Sequence, residues 1–256
     1  MRIKAMPIGS YAWYLRPFFW NQRRKYGWIL DAALLWARSP RMFLGVAILY
    51  GMIDRRRSPI EPALRSLVTV RVSQINWCAF CVDLNSATLL KRGASREKIE
   101  ALGAWRRSGL FTERERAALD YAEAMTRSDT RVEDGHFERL RTHFDDDAIV
   151  ELTGLIAFQN LSSKFNSALD VPPQGFCSLP IAVDPAPPAD PGHRDDRGAR
   201  QPAEADKSAA LSHENRGTAA PASGAGHEGS IDPAREALGI GAAAHASGPD
   251  PGLRSR

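Results

Sequence analysis

Along residues 10–170 the apolar positions recur at the three- and four-residue spacing of helices, with no alternating pattern of paired strands. Trp28 to Trp36 and Met42 to Ile53 are two apolar runs separated by Ser39 and Pro40, a dipeptide that stops one helix and starts another. The stretch LRSLVTVRVSQI at residues 64–75 carries β-branched side chains that a strand would accept. No partner pattern exists for it elsewhere, so a helix is predicted there too. Ala79 to Lys91 reads as a helix closed by Gly93, and Ser95 caps a short helix running to Trp105. Thr112 followed by Glu115 is a capping box for a helix to Met125, with Ala118, Leu119, Ala122 and Met125 as its inner stripe. Phe137, Leu140 and Phe144 form the next stripe. Asp145 to Asp147 give the acidic first turn of a long last helix whose Ile149, Leu152, Ile156 and Leu161 run inward. The predicted fold class is all-α, a helical bundle with short connections.

Proline marks the divisions of the chain. None occurs between Pro62 and Pro172, whereas residues 172–256 are rich in Pro, Gly, Ala and Asp, and no aromatic residue follows Phe176. A segment without aromatic or branched surface to bury cannot offset its ordering entropy. The expected organisation is therefore N-terminal helices over residues 1–60, a core domain over 61–178 and a disordered tail over 179–256. Met42 to Ile53 is too short to span a bilayer and is read as a buried helix or half of a subunit interface.

Charge changes this picture little. The formal net charge is +4, but Lys and Arg are interspersed with a similar number of Asp and Glu. Arg55 to Arg57 read as a solvated helix end, so neither nucleic acid nor a membrane is expected as a partner. Arg2 and Lys4 are followed by Pro7, Gly9 and Ser10 rather than an apolar core, so no secretion signal is visible. With only 3 cysteines, two of them in one motif, the chain is not a secreted disulfide framework. A cytoplasmic setting is expected.

Those two cysteines carry the identifiable chemistry. In NWCAFCVDLN, residues 76–85, Cys78 and Cys81 sit at the start of a predicted helix on one face and within disulfide reach. A helix N-terminus favours thiolate over thiol, so the pair is equipped for reversible two-electron redox work. Competing readings are a half zinc site and a pair of small buried core residues. A zinc site lacks its second half, since His136 and His143 lie two helical turns apart and His193, His213, His227 and His245 are scattered through the tail. No Gly-rich phosphate loop or nucleotide fingerprint appears, and neither a cofactor nor a metal is expected. Trp77 and Phe80 beside the thiols are read as core packing, and Cys177 as an incidental thiol.

VRVSQINWCAFCVDLN, followed by a helix, KRGAS and a second helix, resembles the carboxymuconolactone decarboxylase and alkylhydroperoxidase D-like family. The resemblance runs from about Leu64 to Leu169, where AFQNLSSKFNSALDV is similar to that family's closing segment. It implies an all-helical fold assembled as trimers or hexamers. In thiol-bearing members it implies peroxidase-like or disulfide-exchange activity on a hydroperoxide or disulfide, with a thiol reductant closing the cycle. By the same resemblance Cys81 is oxidised to the sulfenic acid and Cys78 resolves it. Such members carry a His four residues after the second cysteine and a Glu twelve before the first. Here those positions are Asn85 and Ser66, so the proton relay is missing.

An Asn can donate a hydrogen bond to a thiolate but cannot cycle a proton near neutral pH. Asn85 is accordingly read in two ways, as a partner of Cys81 or as a tie to a neighbouring helix. Asp83 is expected to cap its helix, and it would oppose the thiolate if it faced the sulfurs. Three function classes remain: a thiol oxidoreductase, a non-redox lyase, and a catalytically silent oligomeric binding module.

Overall fold

The computed structural model describes residues 1–180 and 182–185, which all fall in one unit of the chain. Among the described residues every regular element is helical: α1 (Arg16–Tyr26), α2 (Asp31–Trp36), α3 (Pro40–Ile53), α4 (Pro62–Ile75), α5 (Ala79–Lys91), α6 (Arg96–Glu100), α7 (Glu113–Thr126), α8 (Asp134–Arg141) and α9 (Asp146–Ala168). Short 3-10 turns precede α1 and follow α6.

Local sequence explains most of the boundaries. Pro40 and Pro62 open α3 and α4 in their first turns, where a missing N–H costs nothing. Thr112 and Glu115 form the reciprocal capping box of α7, and the Asp145 side chain accepts the Ala148 N–H at 2.8 Å to start α9. Gly93, just past α5, takes φ +91°, which any side chain would resist. The helix expected from Ser95 to Trp105 is instead α6 followed directly by a 3-10 segment over Ala101–Arg107, itself kinked at the non-helical Ala104. Residues 28–30, expected to be helical, lie before α2, with Leu30 extended and its N–H donated to the buried Gln22 at 3.0 Å.

Helix α4 lies at the centre, packed by α5, α7 and α9 and buried on nearly every side. That burial explains why Val68, Val70 and Val72 are helical despite their β-branching: tertiary packing outweighs a few tenths of a kcal/mol of propensity per residue. Two apolar clusters result. One joins α4, α7, α8 and α9 through residues such as Val70, Leu119, Leu140 and Leu152. The other gathers Tyr11, Phe19, Trp36 and Phe43 from the N-terminal elements around Cys78, Phe80 and Cys81.

Several side chains depart from their expected positions. Leu161 is 48 % exposed, because five residues beyond Ile156 rotate a side chain about 140° around a helix. Helix α3 is not buried throughout, since Met42, Ile48, Leu49 and Met52 face solvent while Phe43 and Ala47 pack inward. Arg55 is not merely solvated; it pairs with Glu151 of α9.

Order also extends past residue 178. Leu179 is buried, and Asp184 accepts two hydrogen bonds from the buried Arg71, at 2.6 and 3.1 Å, and one from Arg127 at 2.7 Å. A buried guanidinium demands anionic partners, and Glu123 supplies the other at 2.5 Å. Burial pushes the Glu123 carboxyl up, but the Arg71 charge and hydrogen bonds from Arg106, Trp105 and Arg71 outweigh it and hold the group below its ordinary value. The rest of the expected disordered tail lies outside the described residues.

Candidate active site

The turn between α4 and α5 sets up the thiols. Trp77 adopts φ +52°, a left-handed backbone that costs a non-glycine residue about 1 kcal/mol. The reversal brings the Cys78 N–H to 3.1 Å from the Ser73 carbonyl, closing α4 and placing Cys78 just before the first turn of α5. There the Cys78 sulfur accepts the Cys81 N–H at 3.2 Å, as a capping oxygen would. Cys78 and Cys81 are disulfide-bonded, with Cα atoms 5.2 Å apart, and both are buried. Of the two aromatic neighbours, Phe80 is core, whereas Trp77 is 45 % exposed.

Cys81 forms part of the wall of a cavity of about 130 Å³. Its apolar lining comes from Leu30, Trp36, Phe43, Ala47 and Phe158 among others, and its polar residues are Gln22, Asn85, Gln159, Ser162, Asn166 and Tyr50, whose hydroxyl donates to Asp54. No Asp, Glu, Lys, Arg or His lines it. A large part of this wall belongs to α2 and α3, whose residues the sequence pattern assigned to packing or, for Met42 to Ile53, to a subunit interface. The available signal was the concentration of Trp and Phe upstream of the thiols, but a stripe of that kind looks the same in a core and around a ligand.

The structure does not bring Asn85 to the sulfur. Its Nδ2 donates to Ser73 Oγ at 3.3 Å, and Gln159 of α9 donates to the same oxygen at 2.9 Å. Of the two readings of Asn85, the geometry matches the tie to a neighbouring helix, although the residue still lines the cavity. The sulfur contact is made by Asn166 near the end of α9: its Nδ2 donates to Cys81 Sγ at 3.4 Å. Asn166 lies within the quoted segment AFQNLSSKFNSALDV, but nothing in its spacing from the thiols reveals that α9 returns it to them.

Ser66, the other relay position, is engaged elsewhere, accepting a hydrogen bond from Arg92 at 2.9 Å. Asp83 neither caps α5 nor faces the sulfurs. It is fully buried, and its carboxylate accepts the backbone N–H groups of Gln174 and Gly175, each at 2.8 Å, and of Cys177 at 2.7 Å. This strap holds Phe176 edge-on to Phe80, between the two thiols in sequence, and stacked on Trp28. Cys177 keeps a free, half-buried thiol. Among the described residues no group of three or more His, Cys, Asp or Glu could hold a metal ion. His136 accepts the Glu133 N–H at the start of α8 instead.

A family model described as the carboxymuconolactone decarboxylase family matches residues 41–124, a span that includes both cysteines. The uncharacterized protein YnjA of Escherichia coli (strain K12) is 44 % identical over 174 residues, covering 68 % of this chain and 96 % of its own. A crystal structure of a protein of unknown function from Agrobacterium tumefaciens, named with antioxidant defence protein AhpD, is 33 % identical with a TM-score of 0.52 and covers 55 % of this chain and 95 % of its own. An alkylhydroperoxidase AhpD core structure of a peroxidase-related protein from Ralstonia eutropha JMP134 shares the fold, with a TM-score of 0.62 at 20 % identity over 68 % of this chain and 92 % of its own. With its helical architecture, its thiol pair at the head of α5 and a relative matched over nearly its whole length, the chain belongs to the carboxymuconolactone decarboxylase family.

Proposed function

We propose that the protein is a thiol peroxidase working through the Cys78/Cys81 pair. The observation that carries this reading is the position of Cys81: one sulfur of a bonded pair, on the wall of an apolar cavity, with an amide N–H directed at it. The family includes hydroperoxidase-like enzymes, and the antioxidant-defence name of the Agrobacterium relative favours the same assignment.

The chemistry balances with these residues and one external reductant. The Cys81 thiolate attacks the terminal oxygen of R–O–O–H, the O–O bond breaks, and Cys81 becomes S–OH. The departing alkoxide takes the Cys78 thiol proton and leaves as R–OH. The Cys78 thiolate then displaces hydroxide from the Cys81 sulfur, forming the disulfide, and the hydroxide is protonated to water. A dithiol reductant returns the two electrons and two protons. Without a His or carboxylate at the cavity, thiolate formation rests on the α5 N-terminus and neutral hydrogen-bond donors.

Thiol counting and peptide mass spectrometry before and after one equivalent of an organic hydroperoxide test this reading. Loss of two thiols with recovery of the Cys78–Cys81 disulfide is expected. Both thiols free, or Cys81 found only as sulfinic acid, would overturn it. The exposed apolar face of α3, together with Val150 of α9, leads us to propose further that the chain works as a homo-oligomer, a trimer or hexamer by family resemblance.

A further inference from the structure

Asn166 is nearly inaccessible to solvent, at 1 %, and makes use of only half of its amide. Its Nδ2 is committed to the Cys81 sulfur, while its Oδ1 is buried without a hydrogen-bond partner. An orphaned buried carbonyl oxygen costs about 1–3 kcal/mol, and native structures rarely leave one without a reason. This one belongs to a residue on the wall of the cavity that Cys81 also lines. An acceptor without a donor, next to the reacting sulfur, fits a ligand that brings the donor.

We infer that Asn166 is a catalytic residue that selects the oxidant: its Nδ2–H holds the Cys81 thiolate while its Oδ1 accepts the O–H of a neutral organic hydroperoxide. This rests on the peroxidase reading and narrows it. The terminal O–H of R–O–O–H keeps its hydrogen when the O–O bond breaks, and the same O–H reappears on Cys81 as the sulfenic acid. A single fixed acceptor therefore serves the substrate before attack and the intermediate after it. A disulfide or a dialkyl peroxide has no such hydrogen and leaves Oδ1 as orphaned as it is in the free protein. The other groups on the wall suit the same class of ligand. With no charged side chain in the lining, a carboxylate or phosphate headgroup finds no counterion there, whereas Trp36, Phe43 and Phe158 suit a hydrocarbon or aromatic R group. Asn85 and Gln159 each spend one amide N–H on Ser73, which fixes their orientation on the wall.

The test uses the full chain carrying Cys78→Ser and Cys177→Ser, which leaves Cys81 as the only one of its 3 cysteines. Ser at position 78 retains a capping side chain. Stoichiometric reaction rates are measured with cumene hydroperoxide, following Cys81 sulfenic acid by dimedone trapping, and with 4,4′-dithiodipyridine, a neutral aromatic disulfide without an O–H. Both reactions need the thiolate, so their ratio removes any change in thiol ionisation. Asn166→Leu should lower the hydroperoxide rate about tenfold more than the disulfide rate, the worth of one buried hydrogen bond. Asn166→Ala gives the same comparison if leucine prevents folding. Asn166→Asp keeps an acceptor in place and loses the donor, so both rates should fall together.

Equal falls in both rates for Asn166→Leu, or a selective loss of hydroperoxide rate in Asn166→Asp, overturn the assignment while leaving the peroxidase reading intact. A parent protein that reacts with cumene hydroperoxide no faster than the same chain unfolded in urea overturns both.

Discussion

Replacing Asp83 by alanine removes a buried carboxylate that accepts three backbone N–H groups from residues 174, 175 and 177. Hydrogen bonds to charged acceptors contribute about 1.5–3 kcal/mol each, which would sum to about 4.5–9 kcal/mol. Two effects reduce that figure. Alanine no longer buries a charge, and the freed N–H groups lie on a partly exposed segment where water can take them. The net loss should be about 2–4 kcal/mol, a large share of the stability of an ordinary domain. The damage should also be local, because the strap that positions Phe176 against Phe80 and Trp28 loses its anchor. Urea unfolding followed by circular dichroism measures the first effect. Chromogenic labelling of Cys177 measures the second, since it is the only free thiol while Cys78 and Cys81 are bonded. The labelling rate of the folded Asp83→Ala protein should rise at least about tenfold, as local opening of an anchored segment becomes cheap. Stability within about 1 kcal/mol of the parent, with unchanged Cys177 labelling, would show that the strap is held by its apolar contacts and that the carboxylate contributes little.

Other outcomes follow from the same geometry. Glu123→Gln should cost about 3 kcal/mol at neutral pH by leaving Arg71 partly uncompensated. Because the Glu123 carboxyl is held below its ordinary value of 4.5, that difference from the parent should be full above pH 4.5 and close as the pH falls through the lowered value, read as denaturation midpoints across an acid series. If the proposed oligomer forms through α3, Ile48→Glu combined with Met52→Glu should lower the mass measured by light scattering; a parent that is already monomeric would refute the proposed assembly, and a multimer of unchanged mass would place its interface elsewhere. Asn85→His replaces the amide tied to Ser73 by a longer imidazole on the cavity wall that Cys81 shares, and should raise the neutral-pH rate of Cys81 oxidation by up to about 10²-fold through general-base assistance. Adding Ser66→Glu should contribute little more, because Arg92, 2.9 Å from the Ser66 hydroxyl, would claim the new carboxylate; a large additional gain in stopped-flow rates would refute that placement.

The sequence by itself determined the parts of this protein that depend on neighbours in the chain. Helix starts at Pro40, Pro62, Thr112 and Asp145 are local events of backbone geometry and capping, and they stand where the residues call for them. The thiol pair is local in the same sense, since positions i and i+3 at a helix start bring two sulfurs together whatever surrounds them. The all-α class followed from periodicity, and the family from a contiguous motif.

What the tertiary structure alone decided is everything that joins distant segments. Asn166 reaches Cys81 across 85 positions of sequence, and Asp83 reaches the backbone of Cys177 across 94. Asn85 turned to Ser73 because α4 packs against α5 at that level, a fact of helix rotation that its spacing from Cys81 could not convey. Trp36 and Phe43 became cavity wall because α2 and α3 pack on each other and join the apolar cluster that holds Cys81. An amide or an aromatic ring has the same local signature in a core, a tie or a site. Which of these it becomes is decided by the partner that packing delivers, and that partner lies far away along the chain.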